Sequence, residues 1–329
     1  MPTLAAGETL AGCLRALAAQ TLQDFEVIVI DNSGKGLAQD LCKGWGTRGR
    51  VIANVRNVGF GAAINQAFRA SKAPFLAALN DDAEPGSQWL AALMAAADAY
   101  PRAGMFASCV MLDTSGVLDS AGMLLAVDGS SKQRGHGEPP QRFADASAAL
   151  FPSGSAALYR RAMLDEIGLF EEDFFLYCED TDLGLRARWA GWECVYAPEA
   201  VVEHQYSASA GRASPMKAYY VERNRLFCIA RNFPLGMLSF ALVASKLRYF
   251  WHVVALFWDL GKTAEYRRAG HDTWLLPFVV VRAHLVALYR LPSLWAARRR
   301  ILANRRITVR EFRTLAAAHA ISLRKVASL

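Results

Sequence analysis

The sequence predicts an open α/β sheet followed by a helical, basic region, and three observations carry that prediction. Short apolar runs alternate with helix-like segments through the first two thirds of the chain. Those runs end in acidic or amide turn clusters. Beyond Pro234 the pattern changes to aromatic-rich amphipathic segments punctuated by basic residues. Residues 25–30 (FEVIVI) are a continuous apolar, β-branched run of the kind buried on both faces of a parallel sheet, and they end in Asp31, Asn32, Ser33 and Gly34. Residues 51–53 read as a weaker strand and 61–70 as a helix. Residues 75–79 form a second apolar strand ending in Asn80, Asp81 and Asp82, and a helix at 88–99 is closed by Pro101. Ligands of such sheets sit beyond the carboxyl ends of the strands, so Asp31 and the Asp81–Asp82 pair are expected to open onto one edge. Residues 127–141, rich in Gly, Ser and Pro, read as a mobile loop. Order returns at 150–161 through Gly154, and 200–204 reads as a short strand leading to His204. A boundary is expected near residue 235, dividing 1–235 from a helical region at 236–329.

The chain has 329 residues, 53% of them hydrophobic, which is ample for a sizeable core. Its six cysteines are scattered without a C-x-x-C pair, so neither a zinc site nor a disulfide framework is indicated, and a reducing compartment fits. No signal peptide is visible at the N-terminus. The most apolar windows, 236–256 and 273–289, are interrupted by Lys246, Arg248 and His252 and by Arg282 and His284, so a spanning helix is not expected. The charge is unevenly divided. Residues 240–329 hold 16 Lys and Arg against 4 Asp and Glu, a net of +12, while residues 1–239 carry a net of −5.

One stretch concentrates negative charge against aromatics: FFLYCEDTDLGLRARWAGW, residues 174–192. Read as structure alone it is a capped helix. Asp180 or Thr181 would be the N-cap, the acids would suit the positive end of the helix dipole, Asp182 would pair with Arg186 on the surface, and Gly191 would terminate the helix. Read as chemistry, the same stretch supplies a carboxylate for proton transfer. A metal-assisted transfer from a nucleotide diphosphate needs one carboxylate to hold a divalent cation and a second to take a proton from the attacking hydroxyl. Asp82 could be the first and Asp180 the second, with His204 completing the metal shell.

These segments resemble the family 2 glycosyltransferases, specifically their rhamnosyltransferase-like branch. The resemblance runs through VIVIDNSG (27–34), NVGFGAAINQAF (57–68), LNDDAEP (79–85), the long segment from Gly154 to Trp192, VVEH (201–204) and YYVERN (219–224), and covers roughly residues 3–235. It implies a GT-A fold and an inverting, metal-dependent transferase acting on a nucleotide-diphosphate sugar, rhamnose or a similar sugar. A divalent cation, Mn or Mg, is implied as cofactor. The implied acceptor is a glycan or polyprenyl-diphosphate-linked sugar of the cell-envelope or O-antigen type. Carried onto this chain, the resemblance assigns Asp31 to the nucleotide base and places Asn57 near the nucleotide. Asp81 and Asp82 fall in the D-x-D element, with Asp82 as metal ligand. Asp180 becomes the catalytic base, His204 a further metal or diphosphate contact, and Arg223 and Asn224 contacts to diphosphate or acceptor. Gly154 and Glu179 join the substrate-binding set. Two departures stand out: the D-x-D element begins with Asn80 rather than an acid, and the apolar strand that precedes the family's Pro-Thr pair is missing, since Pro2 and Thr3 follow Met1 directly.

Beside Tyr177 and Phe175, Asp180 is expected to have a raised pKa, with Glu179 a quarter-turn away ranked second. The G-x-G of NVGFGAAINQAF lacks the third glycine and the following acid of a dinucleotide fingerprint and reads as a tight turn into a helix. His204, taken singly, could equally be a core histidine, and Arg223 a surface residue. Aromatic and apolar faces beside basic ones in the tail suit a helix lying in an anionic membrane interface, on the inner face of the plasma membrane. Nucleic acid is not expected, since no nucleic-acid motif accompanies the basic patch. Packing of the tail on the body or on another subunit is the plainer alternative. Two rivals remain open at this level: a non-catalytic nucleotide-sugar or carbohydrate-binding protein, and a peripheral membrane scaffold.

Overall fold

The computed structural model describes residues 1–112, 115–204 and 213–329 of the chain. Its first strand, β1, is the Pro-Thr pair itself (Pro2–Thr3). Pro2 and Thr3 pair in parallel with Ile30 and Asp31, the Met1 nitrogen donates to Ile28 O at 2.9 Å, and the Ile30 N–H donates to Met1 O at 2.8 Å. Backbone groups along that side of the buried run are therefore satisfied.

Helix α1 (Glu8–Ala18) leads to β2 (Val27–Asp31), β3 (Gly49–Ala53), α2 (Phe60–Ala70), β4 (Phe75–Leu79), β5 (Ala83–Pro85) and α3 (Trp89–Ala99). Then come β6 (Ala103–Leu112), β7 (Leu118–Ser120), β8 (Met123–Ala126), β9 (Ser131–Gln133), β10 (Ser147–Ala148), β11 (Ala156–Arg160), α4 (Arg161–Ile167), α5 (Glu179–Trp189) and β12 (Glu193–His204). The chain closes with α6 (Pro215–Asn232), α7 (Leu235–Phe257), α8 (Gly261–Arg268), α9 (Leu276–Tyr289), α10 (Leu291–Ala303), α11 (Val309–Ala318), β13 (Ala320–Ile321) and α12 (Leu323–Ser328).

The described residues fall into two compact units. The first holds Met1–Met123, Gln133–Phe175 and strand β12; the second holds Leu124–Lys132, Leu176–Gly191 and the helices from α6 onward. The boundary expected at residue 235 follows chain order, whereas the compact units do not.

In the first unit β1, β2 and β3 form a parallel three-stranded sheet. A second sheet runs β10–β12–β6–β11–β4, with β5 on β12 and β7 on β6. The βαβ rhythm suggested parallel pairing throughout; instead β11 lies antiparallel to both β4 and β6, while β12 runs parallel to β6. The core beneath these strands is built on Leu10, Val29, Trp89, Leu93, Phe106, Leu158 and Val202. The strand read at 200–204 is the end of a longer one. β12 begins at Glu193 and slips register against β6 between Ala197 and Val201, where Pro198 cannot donate to a ladder.

In the second unit α6, α9 and α10 pack together, β13 pairs with β8, and Trp189 stacks on Phe312 with ring centroids 4.1 Å apart. The segment expected to be a mobile loop contains β9 and the buried Asp128. Asp128 accepts from Arg248 Nε at 2.6 Å, and Arg248 and Arg225 also bond Glu222. Against the expectation from the sequence, α7 is long and apolar enough to cross a membrane by length and composition, and α9 with α10 passes the same test as a pair bent by 64°. Arg248 nevertheless points inward, while Phe240, Val243, Leu247, Phe250, Val253 and Phe257 are exposed at helical spacing along one face.

Candidate active site

The first unit gathers acids at strand ends. Asp31 closes β2 and is buried, with Oδ1 accepting from the Ser33 N–H at 2.8 Å and Oδ2 from the Ala38 N–H at 2.9 Å. Burial would raise its pKa, but these loop donors hold the carboxylate below its ordinary value. Asp31 thus organises the turn after β2. Asn57 is exposed, and its Oδ1 accepts from the Gly59 N–H at 2.8 Å to open α2. Gly59 has φ +87°, and a Cβ there would lie 2.2 Å from Phe175 O, which also accepts from the Phe60 N–H. Only glycine fits that approach.

Asp82 follows β4, and antiparallel pairing of β5 with β12 sets Ala83 opposite His204. That register brings Asp82 Oδ1 within 3.2 Å of His204 Nε2, both residues being buried. His204 Nδ1 lies 3.2 Å from Oδ2 of Asp119, whose Oδ1 is 3.2 Å from His136 Nδ1. Burial would lower the His204 pKa, but Asp119 and Asp82 together push it up to about 9. Burial likewise works to raise Asp119, and the two imidazoles hold it below its ordinary value. The expected metal shell of Asp82 and His204 therefore comes together as an ion pair in which both ring nitrogens face carboxylates. Beside it, burial raises Asp81, opposed by a hydrogen bond from Thr3 and reinforced by Asp82. Gly154 stands in the turn before β11, next to Ser155, whose carbonyl accepts from the Asn80 N–H at 2.9 Å. That turn borders the D-x-D element.

Among the described residues no group of three or more His, Cys, Asp or Glu could hold a metal ion. The buried Asp82–His204 pair nonetheless offers one oxygen and one nitrogen donor converging at a strand end, a donor set that suits Mn2+ if a bound diphosphate supplies further oxygens.

The second unit carries the acidic helix start. Tyr177 and Cys178 both have positive φ, 69° and 65°, conformations that L-residues hold only when their surroundings enforce them. Asn224 is one enforcer: its Nδ2 donates to Leu176 O and Tyr177 O, each at 2.7 Å. The N-cap residue is Cys178, not Asp180 or Thr181. Asp180 is part-buried, and its Oδ1 accepts from the Thr181 N–H at 2.6 Å and hydroxyl at 3.2 Å. The Glu179 carboxyl is pushed up to about 8, first by burial and then by the Asp180 charge. Asp182 corrects another expectation. Its pairing with Arg186 at 2.8 Å is fully buried rather than superficial, and Arg231 at 2.7 Å and Asn232 at 2.9 Å complete it. Arg223 lies over Tyr220, Phe227 and Tyr219, with its Nε donating to Asn224 Oδ1 at 2.8 Å.

The first unit brings Asp82 and His204 together, with Asp81 next to Asp82 in the chain, Gly154 in the turn before β11, and Asp31 and Asn57 at the turns after β2 and before α2; the second unit separately holds Glu179, Asp180, Arg223 and Asn224. Asp119 had no sequence signal; it stands in a short strand without a motif.

Residues 1–168, half of the chain, match the Glycosyl transferase family 2 model, and residues 140–296 match Glycosyl transferase family group 2. The chain is a family 2 glycosyltransferase. An N-acetylglucosaminyl-diphospho-decaprenol L-rhamnosyltransferase of Mycobacterium tuberculosis is 30% identical over 244 residues, covering 66% of this chain and 79% of that one. Two solved structures share the fold. TarS (residues 1–349) of S. aureus in complex with UDP has a TM-score of 0.53 at 16% identity, over 96% of this chain and 89% of that one. GalNAc-T7 with UDP, GalNAc and Mn2+ has a TM-score of 0.54 at 15% identity, over 66% of this chain and 44% of that one. The GT-A fold and glycosyltransferase activity with a nucleotide-sugar donor follow, within a rhamnosyltransferase-like branch of the family.

Proposed function

We propose that this family 2 glycosyltransferase moves rhamnose or a similar sugar, with inversion, from a nucleotide-diphosphate donor to a sugar on a polyprenyl-diphosphate carrier of cell-envelope glycan synthesis. The observation that carries the reading is the buried Asp82–His204 pair, an oxygen and a nitrogen donor brought together at the strand ends. Asp82 and His204 would hold a divalent cation, which when bound neutralises charge on the leaving diphosphate. The 30%-identical rhamnosyltransferase supports the sugar and acceptor class.

Asp180 is the proposed base. Its carboxylate takes the proton of the acceptor hydroxyl as that oxygen bonds to the anomeric carbon and the bond from that carbon to the diphosphate oxygen breaks. Thr181 fixes one carboxylate oxygen, and Asn224 fixes the strained backbone ahead of the helix. Burial, and then the neighbouring Asp180, push the Glu179 carboxyl up to about 8. The exposed apolar face of α7, and that of α9 at Phe278, Val281, Leu285 and Leu288, would lie in the membrane interface, on the inner face of the plasma membrane, where a lipid-linked acceptor resides.

The test is Asp180→Asn assayed for sugar transfer and for donor binding in parallel. Loss of transfer by about 10²-fold or more with donor affinity kept supports the assignment. Transfer at the wild-type rate would remove Asp180 from the role of base.

A further inference from the structure

His204 and Asp119 come from different strands, β12 and β7, which both pair with β6. In the ladder between β6 and β7, Val110 faces Ser120 and Met111 faces Leu118, so Asp119 is the extra residue of a β-bulge. A bulge breaks the alternation of a strand and re-aims a side chain, and bulges recur beside active sites. Here the bulge turns a carboxylate inward. Asp119 is 1% exposed, and its Oδ2 lies 3.2 Å from His204 Nδ1.

The other oxygen of Asp119 faces a second imidazole. Oδ1 lies 3.2 Å from Nδ1 of His136, which is also 3.2 Å from the Asp119 carbonyl oxygen. Backbone bonds lay the segment carrying His136 beside β7. The Leu118 N–H donates to Glu138 O at 2.9 Å, the Gly137 N–H to Leu118 O at 2.8 Å, and the Ala121 N–H to Arg134 O at 2.9 Å. Asp82, His204, Asp119 and His136 thus form one line of contacts inside the first unit.

The order of that line matters for a cation. A neutral imidazole carries one N–H and one lone pair, and only the lone pair ligates. His204 can offer Nε2 on the side of Asp82 only if its proton sits on Nδ1 and the ring keeps its orientation. Asp119 Oδ2 is placed to accept that Nδ1–H, and so to fix both tautomer and ring. A histidine neutralised in a core needs one carboxylate. Here a second stands on the opposite ring edge, on a bulge, and is itself braced by another imidazole.

We propose that Asp119 is a positioning residue that presents His204 Nε2 to the divalent cation shared with Asp82, and that His136 steadies Asp119 in turn. This rests on the metal reading proposed above and adds to it two residues that act through His204.

The experiment is Mn2+ titration of the whole chain with UDP, dTDP or GDP present, read by EPR. Nitrogen modulation in pulsed EPR reports an imidazole bound to Mn2+. Wild type should show that signal and His204→Ala should lose it. Asp119→Asn keeps the shape of the side chain but can turn an amide N–H toward Nδ1, which favours the tautomer that cannot ligate. It should lower Mn2+ affinity about 10- to 100-fold and weaken the nitrogen signal, and Asp119→Ala should do at least as much. His136→Gln should lower affinity by less than Asp119→Asn. Wild-type affinity and an unchanged nitrogen signal in Asp119→Asn would overturn the proposal, and if Tm alone fell, Asp119 would be structural. Wild type that binds no Mn2+, or binds it without the nitrogen signal, would instead refute the metal role of His204 on which the proposal rests. Because Asp119→Asn is isosteric, the comparison holds even where Asp119→Ala does not fold.

Discussion

His204 Nε2 lies 3.2 Å from Asp82 Oδ1, and the ring is held from behind by Asp119 at the same distance. With its pKa raised from 6.5 to about 9 in the folded chain, His204 stabilises the metal-free protein fully below about pH 6.5, and that contribution is lost as pH rises through about 9. It is worth at most ~3 kcal/mol. Denaturant midpoints of EDTA-treated protein should fall across this window, and Asp119→Asn should flatten the fall. An unchanged pH profile in that variant would sink the ion-pair description. Because a metal must displace the imidazolium proton, Mn2+ affinity should also rise with pH up to about 9.

Glu179 shifts stability with pH in the same direction, over a lower window. Its folded pKa of about 8 exceeds the ordinary 4.5, so the folded chain keeps a proton that the unfolded chain has released, and stability declines from about pH 4.5 to 8. Glu179→Gln removes that penalty. The variant should match wild type near pH 4 and gain on it steadily to pH 8, by up to a few kcal/mol. Thermal melts at five pH values would show it. A variant that is less stable at pH 7 would mean that the carboxylate is charged and paired.

Asp182 is fully buried against Arg186, Arg231 and Asn232, and these contacts tie α5 to α6. Asp182→Ala would leave two guanidinium groups without their carboxylate, at a cost of about 3–5 kcal/mol in unfolding free energy. A loss under about 1 kcal/mol in urea titration would contradict a paired, desolvated cluster.

Phe250 and Phe257 are 55% and 85% exposed on one face of α7. Replacing both by serine should leave the fold intact, since neither is in a core, and should lower partitioning onto phosphatidylglycerol vesicles by about tenfold or more. Co-sedimentation reads this directly, and an unchanged bound fraction would assign the face to another role.

Much of this was legible in the sequence, and the rest was hidden for identifiable reasons. β4 and α2 fall within a residue of their sequence-read limits because one is an unbroken apolar run and the other follows a glycine turn. The acids at 31, 81, 82 and 180 were visible as acids after strands or at a helix start. Asp119 was not, because it reaches His204 through the pairing of β7 and of β12 with β6, and no local pattern records a contact 85 residues apart. Asp182 was read as a surface pair because Arg186 is four residues away, whereas Arg231 and Asn232, about fifty residues on, decide that it is buried. Lys132 lay in a Gly- and Ser-rich stretch that resembles a loop, although Asp128 and Arg248 anchor it.

The central claim is a nucleotide-sugar donor site organised by Asp82. The most direct measurement is thermal stabilisation of the chain by UDP, dTDP and GDP, each with and without Mn2+, for wild type and Asp82→Ala. A Mn2+-dependent rise in Tm with one nucleotide, absent in Asp82→Ala, is the predicted result. No rise with any nucleotide, or the same rise in the variant, would contradict it.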